Sequence, residues 1–282
     1  LFYIGYNVST QSNESGHYDL LASEARAASF LAIAKGDVPQ KHWFSLGRPL
    51  TLVNGVPALV SWSGTMFEYL MPNLIMRAPR GTLIERSNRA AVQRQIRHGR
   101  KFNIPWGVSE SQYFMFDVDS NYQYMAFGMQ YLRLQSSMRP ARVVAPYATA
   151  LAIGIKPEAS IANLRHLKEI GATGAYGMYE ALDFSRPNSA TLQNFSLVQS
   201  YMAHHQGMIL TSLNNFLNNR TLQRRFHKEP MVQATEVLLE EKRSVVLILL
   251  ARYGYSINID QLEYQEEQIE DRLVTDLNPE TP

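Results

Sequence analysis

Four glutamates sit among small and aromatic residues: Glu24 in LLASEARAAS, Glu68 in SWSGTMFEYL, Glu110 in WGVSESQY and Glu180 in YGMYEALDF. A carboxyl group buried in such surroundings loses the hydration that favours its charged form, so its proton affinity rises toward the range where general acid-base work is efficient. Glu110 is the sharpest case. No lysine or arginine stands between Lys101 and Arg133, so no cation close in sequence can pair with it. Most glutamates are solvated or satisfy an arginine; the recurrence of one setting singles these four out. Two carboxyls flanking a glycosidic bond can cleave it, one protonating the leaving oxygen while the other attacks carbon or activates water. Spacing alone does not choose the pair.

Around these acids the aromatic residues recur: Trp62, Trp106, Tyr113, Tyr122, Tyr124, Tyr176 and Tyr179, all read as loop residues. An aromatic face packs against the apolar side of a sugar ring while its hydroxyl or indole N–H takes a hydrogen bond. Core filling is the expectation for about half of them, since large rings dominate cores as well. In YMAHHQGMIL, His204 and His205 are adjacent on a helix and face different sides of it, so they cannot share a metal as an i, i+4 pair does. One of them is read as a polar contact to substrate, and no metal site is expected. GATGAYG has glycines but no following Lys-Ser or Lys-Thr, so it is not a phosphate loop. No cofactor is expected.

Composition narrows the partners. The 282 residues are 45% hydrophobic and 18% charged, which is globular composition, with a net charge of +2 from 27 basic and 25 acidic residues. That balance gives no electrostatic grip on nucleic acid or on an acidic membrane surface. Cysteine is absent, which excludes disulfides and thiolate metal sites. The longest apolar run, VVLILLA from Val245, is about a third of a membrane span. LFYIGYNVST lacks the pattern of a signal peptide. The chain reads as a soluble piece of something longer.

The elements that would position the acids are mostly helices. HYDLLASEARAASFLAIAKGD spaces Leu20, Leu21, Ala25, Ala28, Leu31 and Ala34 as an amphipathic helix, with Asp19 as cap and Gly36 as stop. GTMFEYLMPNLIMR predicts a second, kinked at Pro72. TLIERSNRAAVQRQIRHGRKF predicts a third, basic on its outer face and ending near Gly99. VVAPYATALAIGIKP, EASIANLRHLKEIG, SLVQSYMAHHQGMILTSLNNFLNN and EPMVQATEVLLEEKRSVVLILLARYG read the same way, for at least seven helices. Between them lie long loops, which are more often functional than idle. TLVNGVPALVSW around Asn54-Gly55 predicts a hairpin, and the segment from Asn103 to Gly128 is expected to hold another short strand pair. The domain is taken to run over residues 1–255, with an acidic tail or linker over 256–282.

The blocks YDLLASEARAASFLAIAKGDVPQKHWFSLGR, SWSGTMFEYLMPNLIMRAP, IPWGVSES, RVVAPYATALA, YGMYEALDF, YMAHHQGM and RFHKEPMVQATEVLL, in this order, resemble the central glucoamylase-like cyclisation domain of bacterial cyclic β-1,2-glucan synthases, glycoside hydrolase family 189. The resemblance implies an all-α fold, an (α/α)6 barrel incomplete on its N-terminal side, with long loops and short β-hairpins at the active-site end. It implies retaining transglycosylation of linear β-1,2-glucan through a glycosyl-enzyme, with Glu24 as acid/base and Glu110 as nucleophile. Tyr18, Trp62, Glu68, Trp106, Tyr122, Tyr124, Tyr179, Glu180, His204 and His205 are the expected substrate contacts. The implied partners are the glucan and the remaining domains of a parent synthase, anchored at the cytoplasmic side of the inner membrane. The alternatives are an endo-β-1,2-glucanase and a glucan-binding domain without turnover.

Overall fold

The computed structural model describes residues 1–134, 142–188 and 192–242, and residues Leu1–Glu241 pack as one unit. The expected domain end near Tyr255 and the tail 256–282 lie outside the described residues. The helices among those described are α1 (Arg26–Ala34), α2 (Lys41–Ser45), α3 (Met66–Leu70), α4 (Leu83–Phe102), α5 (Pro146–Leu151), α6 (Pro157–Glu169), α7 (Ala203–Leu217), α8 (Thr221–Phe226) and α9 (Pro230–Thr235). Short strands fill the connections: β1 (Phe2–Tyr3), β2 (Tyr6–Asn7), β3 (Ser12–Asn13), β4 (His17–Tyr18), β5 (Leu50–Val53), β6 (Val56–Leu59), β7 (Ser111–Phe116), β8 (Tyr122–Met125), β9 (Val143–Val144), β10 (Thr173–Gly174), β11 (Gly177–Met178), β12 (Ala181–Asp183) and β13 (Ser196–Val198). The protein is thus helix-rich with small sheets.

The predicted hairpin forms: β5 and β6 pair antiparallel around Asn54 and Gly55, whose φ values of 56° and 83° are those the two-residue turn demands. The second expected pair is β7 with β8. A three-stranded sheet in the order β13-β12-β9 was not expected, because Val143–Val144 and Ser196–Val198 were read as the first turns of helices. Those helices start later, α5 with Pro146 in its first turn, where the missing N–H costs nothing. Pro72 acts as predicted: α3 gives way to a 3-10 turn over Met71–Leu74.

The first helix departs most from the expectation. It begins at Arg26, not after Asp19, because residues 19–21 pair with a distant strip of chain: the Gly47 N–H donates to Asp19 O and the Leu21 N–H to Gly47 O, at 2.6 and 3.0 Å. Asp19 caps nothing and accepts from Trp62 Nε1 at 2.8 Å. Glu24 therefore stands on a loop ahead of the helix rather than within it. The helix ends as expected before Gly36, at φ 80°. α4 runs past Gly99 to Asn103, which stops it in the left-handed conformation. The last predicted helix is α9 followed by a 3-10 turn over Glu236–Glu240, and the rest of its run lies outside the described residues.

One main core joins these elements, with Phe30, Trp43, Leu59, Tyr69, Val92 and Tyr147 among its members. Each such side chain contributes roughly 1.5–3 kcal/mol relative to exposure. A smaller core under the three-stranded sheet holds Val144, Leu167, Leu182 and Phe195.

Candidate active site

The segment around Glu110 is held by side chains from three helices. Gln95 on α4 clamps Val108, donating to its carbonyl at 2.6 Å and accepting from its N–H at 2.8 Å. Asn163 on α6 does the same for Trp106, at 2.7 and 3.1 Å, and Thr149 on α5 donates to the same carbonyl. Gly107, at φ 127°, passes so close to α5 that a Cβ there would lie 2.8 Å from Thr149 Oγ1. Tyr147 on α5 donates its hydroxyl to Ser109 Oγ and to the Glu110 carbonyl, at 2.8 and 2.9 Å, while Ser109 Oγ also accepts from the Phe67 N–H in the first turn of α3. Every backbone group so engaged fixes where the Glu110 side chain leaves the chain.

Two other segments bring the remaining acids to it. The buried Arg26 guanidinium donates to the carbonyls of Ser23, Glu68 and Tyr69, at 3.1, 2.9 and 2.6 Å, tying the Glu24 loop to α3. Burial lowers its pKa to about 10, partly offset by the Glu24 charge. Glu180, next to β12, accepts from the Gln112 N–H on β7 at 3.3 Å, and Asp183 on the same strand accepts from the Phe114 N–H.

The four glutamates converge on one region. Burial, then the charges of Glu24 and Glu68, push the Glu110 carboxyl up to about 7. Tyr18 is raised by burial, then by Glu24 and Glu110, and Tyr124 by burial, then by Glu110, Glu180 and Glu24. Two tyrosines thus feel both Glu24 and Glu110. Among the described residues the Glu110 carboxylate has no hydrogen-bond or ion-pair partner, in keeping with the absence of a nearby cation in sequence, and Glu24 accepts from Ser23 Oγ at 3.2 Å.

Glu68 is different in kind. Its carboxylate accepts from Ser61 Oγ, the Ser63 N–H, the Thr65 N–H and Thr65 Oγ1, at 2.9, 3.0, 2.7 and 3.0 Å, and closes a capping box with Thr65 at the start of α3. Burial raises its pKa and these hydrogen bonds oppose the rise. With its oxygens engaged by the chain, Glu68 organises the loop under the site. Trp106 is 6% exposed in the main core, and its backbone anchors the segment that carries Glu110.

The other expected contacts divide by exposure. Trp62 and Tyr124 are 42% and 43% exposed, and Tyr18 and Tyr179 are half-buried. Tyr122 leans on Phe116 at 4.7 Å between ring centroids, within an aromatic cluster of the β7-β8 hairpin. Tyr113, Tyr122 and Tyr124 lie on strands rather than loops. His204 is exposed and His205 buried, yet their rings touch, with centroids 4.0 Å apart. Burial and His205 lower the pKa of His204, against the pull of Glu180. His205 Nδ1 donates to both oxygens of Glu180, at 2.9 and 3.0 Å. Tyr147, which stacks on His205 at 3.8 Å and holds Glu110, was missed by sequence reasoning. The one signal it offered was a lone hydroxyl in the apolar run APYATALAIG.

Among the described residues no group of three or more His, Asp or Glu side chains could hold a metal ion, and no helix is long and apolar enough to cross a membrane. A cavity of about 690 Å³ opens elsewhere, lined by residues that include Arg77, Glu85, Arg220 and His227. None of the four glutamates lines it.

A family model described as "Putative glucoamylase" matches residues 16–230. The cyclic beta-(1,2)-glucan synthase NdvB of Rhizobium meliloti (strain 1021) is 45% identical over 242 residues, which make up 86% of this chain and 8% of that protein. The solved endo-beta-1,2-glucanase of Chitinophaga pinensis, in complex with sophorotriose and glucose, superposes with a TM-score of 0.60 at 19% identity, over 85% of this chain and 58% of that one. A "putative glucoamylase" from Bacteroides caccae gives 0.61 at 20% identity, over 84% and 59%. At such identities the structural likeness speaks for the fold alone. The chain spans a small fraction of the synthase and somewhat over half of the two solved structures.

Proposed function

The chain belongs to the glucoamylase family whose model matches it, and from that premise we propose that it processes β-1,2-glucan as the cyclisation domain of a larger synthase. The carrying observation is the Glu110 carboxylate, on a backbone held from three helices and, among the described residues, without a hydrogen-bond or ion-pair partner. The fold we infer is an (α/α)6 barrel to which the described helices contribute a part. The parent would be an integral membrane protein with this domain on the cytoplasmic side of the inner membrane.

In this reading Glu24 protonates the glycosidic oxygen while Glu110 attacks the anomeric carbon; the C–O bond to the leaving chain breaks and a glycosyl ester to Glu110 forms. Glu24, now a carboxylate, removes the proton from a hydroxyl at the free end of the bound chain. That oxygen attacks the ester-bearing carbon, Glu110 leaves, and a ring closes with net retention and no water consumed. The productive form carries the proton on Glu24, and the unbonded state of Glu110 leaves its lone pairs free for carbon. Trp62, Tyr124 and Tyr179 are proposed as ring contacts along the glucan, and Tyr18 and His204 as polar ones.

Incubation of the protein with linear β-1,2-glucan and mass analysis of the products tests this. Products lighter than the linear chains by one water, absent with Glu110→Gln, support cyclisation. Shorter linear chains alone would make the protein a glucanase. Binding without new products would leave a binding domain.

A further inference from the structure

His205 carries an unexplained atom. The residue is 1% exposed, and its Nε2 is buried with no hydrogen-bond partner among the described residues. Its other ring nitrogen is fully occupied, because both oxygens of Glu180 face Nδ1 at 2.9 and 3.0 Å. A carboxylate offers acceptors only, so Nδ1 carries a proton, and in the neutral ring Nε2 then presents a bare lone pair. Leaving such a group buried and unmet is unfavourable.

The ring cannot turn to relieve this. Tyr147 stacks on one face at 3.8 Å between centroids and 12° between planes, and Phe67 and His204 approach it from other directions, at 6.5 and 4.0 Å. Tyr147 in turn is fixed by its hydrogen bonds to Ser109 Oγ and the Glu110 carbonyl. The orientation of the imidazole is therefore coupled to the segment that carries Glu110. Tyr124, which feels the charges of Glu24, Glu110 and Glu180, lies nearly parallel to the ring at 6.5 Å.

We propose that the Glu180–His205 pair is an acceptor for one glucosyl hydroxyl: Glu180 holds a proton on Nδ1, and Nε2, closed off in this structure, is uncovered as a sugar unit seats beside Glu110 and accepts its O–H. This rests on the glucan reading and deepens it, replacing a general expectation of polar contact with one atom and one direction of hydrogen bonding. His205 is then a substrate contact, and Glu180, which never meets the sugar, is a positioning residue.

The test uses the chain labelled with 15N-histidine, its His205 resonances assigned by loss in His205→Asn, and linear β-1,2-glucan oligosaccharides as probe. The expected result is an unprotonated Nε2 that shifts on adding glucan, with affinity falling on the order of tenfold in His205→Asn, the loss of one well-placed hydrogen bond. Two protonated ring nitrogens, or an Nε2 resonance that stays still while glucan binds, would overturn the proposal and leave the glucan reading standing. No glucan binding by the unaltered chain would overturn both. Should His205→Asn fail to fold by circular dichroism, Glu180→Gln provides the second arm, since its amide can donate to Nδ1 and send the proton to Nε2. Reversed tautomer with weakened binding is expected; unchanged tautomer and affinity would count against the pair.

Discussion

Two glutamates on neighbouring segments of the site, Glu68 buried and Glu110 half-buried, have opposite surroundings. Glu68 sits at the start of α3 with four donors on its oxygens, while Glu110, beyond Gln95's clamp on Val108, has a fixed backbone and a carboxylate without a partner among the described residues. Both are raised by burial, but only for Glu68 do hydrogen bonds push back. A carboxylate whose lone pairs are filled is committed to structure, and one whose lone pairs are empty is available to react. Burial does not separate the two roles; the donors do.

The contrast can be broken most directly at Glu110. Glu110→Gln is expected to lower turnover of β-1,2-glucan by at least about 10³-fold, as loss of a nucleophile does, with the fold intact by circular dichroism. Wild-type turnover in that variant would sink the assignment. Next in size is Glu24→Gln, with a loss of about 10²–10⁴-fold on glucan. It should be much milder on a glucoside whose leaving group needs no proton, measured as the ratio of kcat/KM on the two substrates. An equal loss on both would reverse the assigned roles.

Glu68→Ala should act on stability instead. It removes the capping box and strands the donors of Ser61, Ser63 and Thr65, for a cost of about 2–4 kcal/mol by denaturant unfolding. A variant of normal stability but no activity would erase the distinction between the two acids.

The smallest effect is a sharper version of the first. Because Glu110 is raised to about 7 from an ordinary 4.5, the folded state holds a proton that the unfolded chain releases between those values. Its contribution to stability is full below about pH 4.5 and is lost as pH rises toward 7, at up to about 3 kcal/mol for a shift of this size. Glu110→Gln, which cannot ionise, should therefore gain stability over wild type as pH rises through that window and match it near pH 4. A pH-independent difference would mean that the carboxyl is not strained by its site.

Much of the frame was legible in the chain. The helical periodicity of α4, α6 and α7, the Asn54-Gly55 turn and the Pro72 break are local rules, and each has its counterpart in the structure. The resemblance singled out Glu24 and Glu110, and the missing cation around Glu110 pointed the same way. What failed did so for reasons that no window of sequence contains. Residues 19–21 left the helix because Gly47 pairs with them. The burial of Trp106, too, is set from afar, by Asn163 and Thr149 pinning its backbone against α5 and α6.

The sequence by itself determined which stretches coil, where they break, and which acids lack a local cation, because those properties depend on neighbours a few residues away. Only the tertiary structure decided which acids meet, since the contacts that gather their segments join Arg26 to the Glu68 carbonyl across 42 residues and Glu180 to the Gln112 N–H across 68. Desolvation and hydrogen-bond satisfaction are properties of a place, and the place exists only once the distant segments have met.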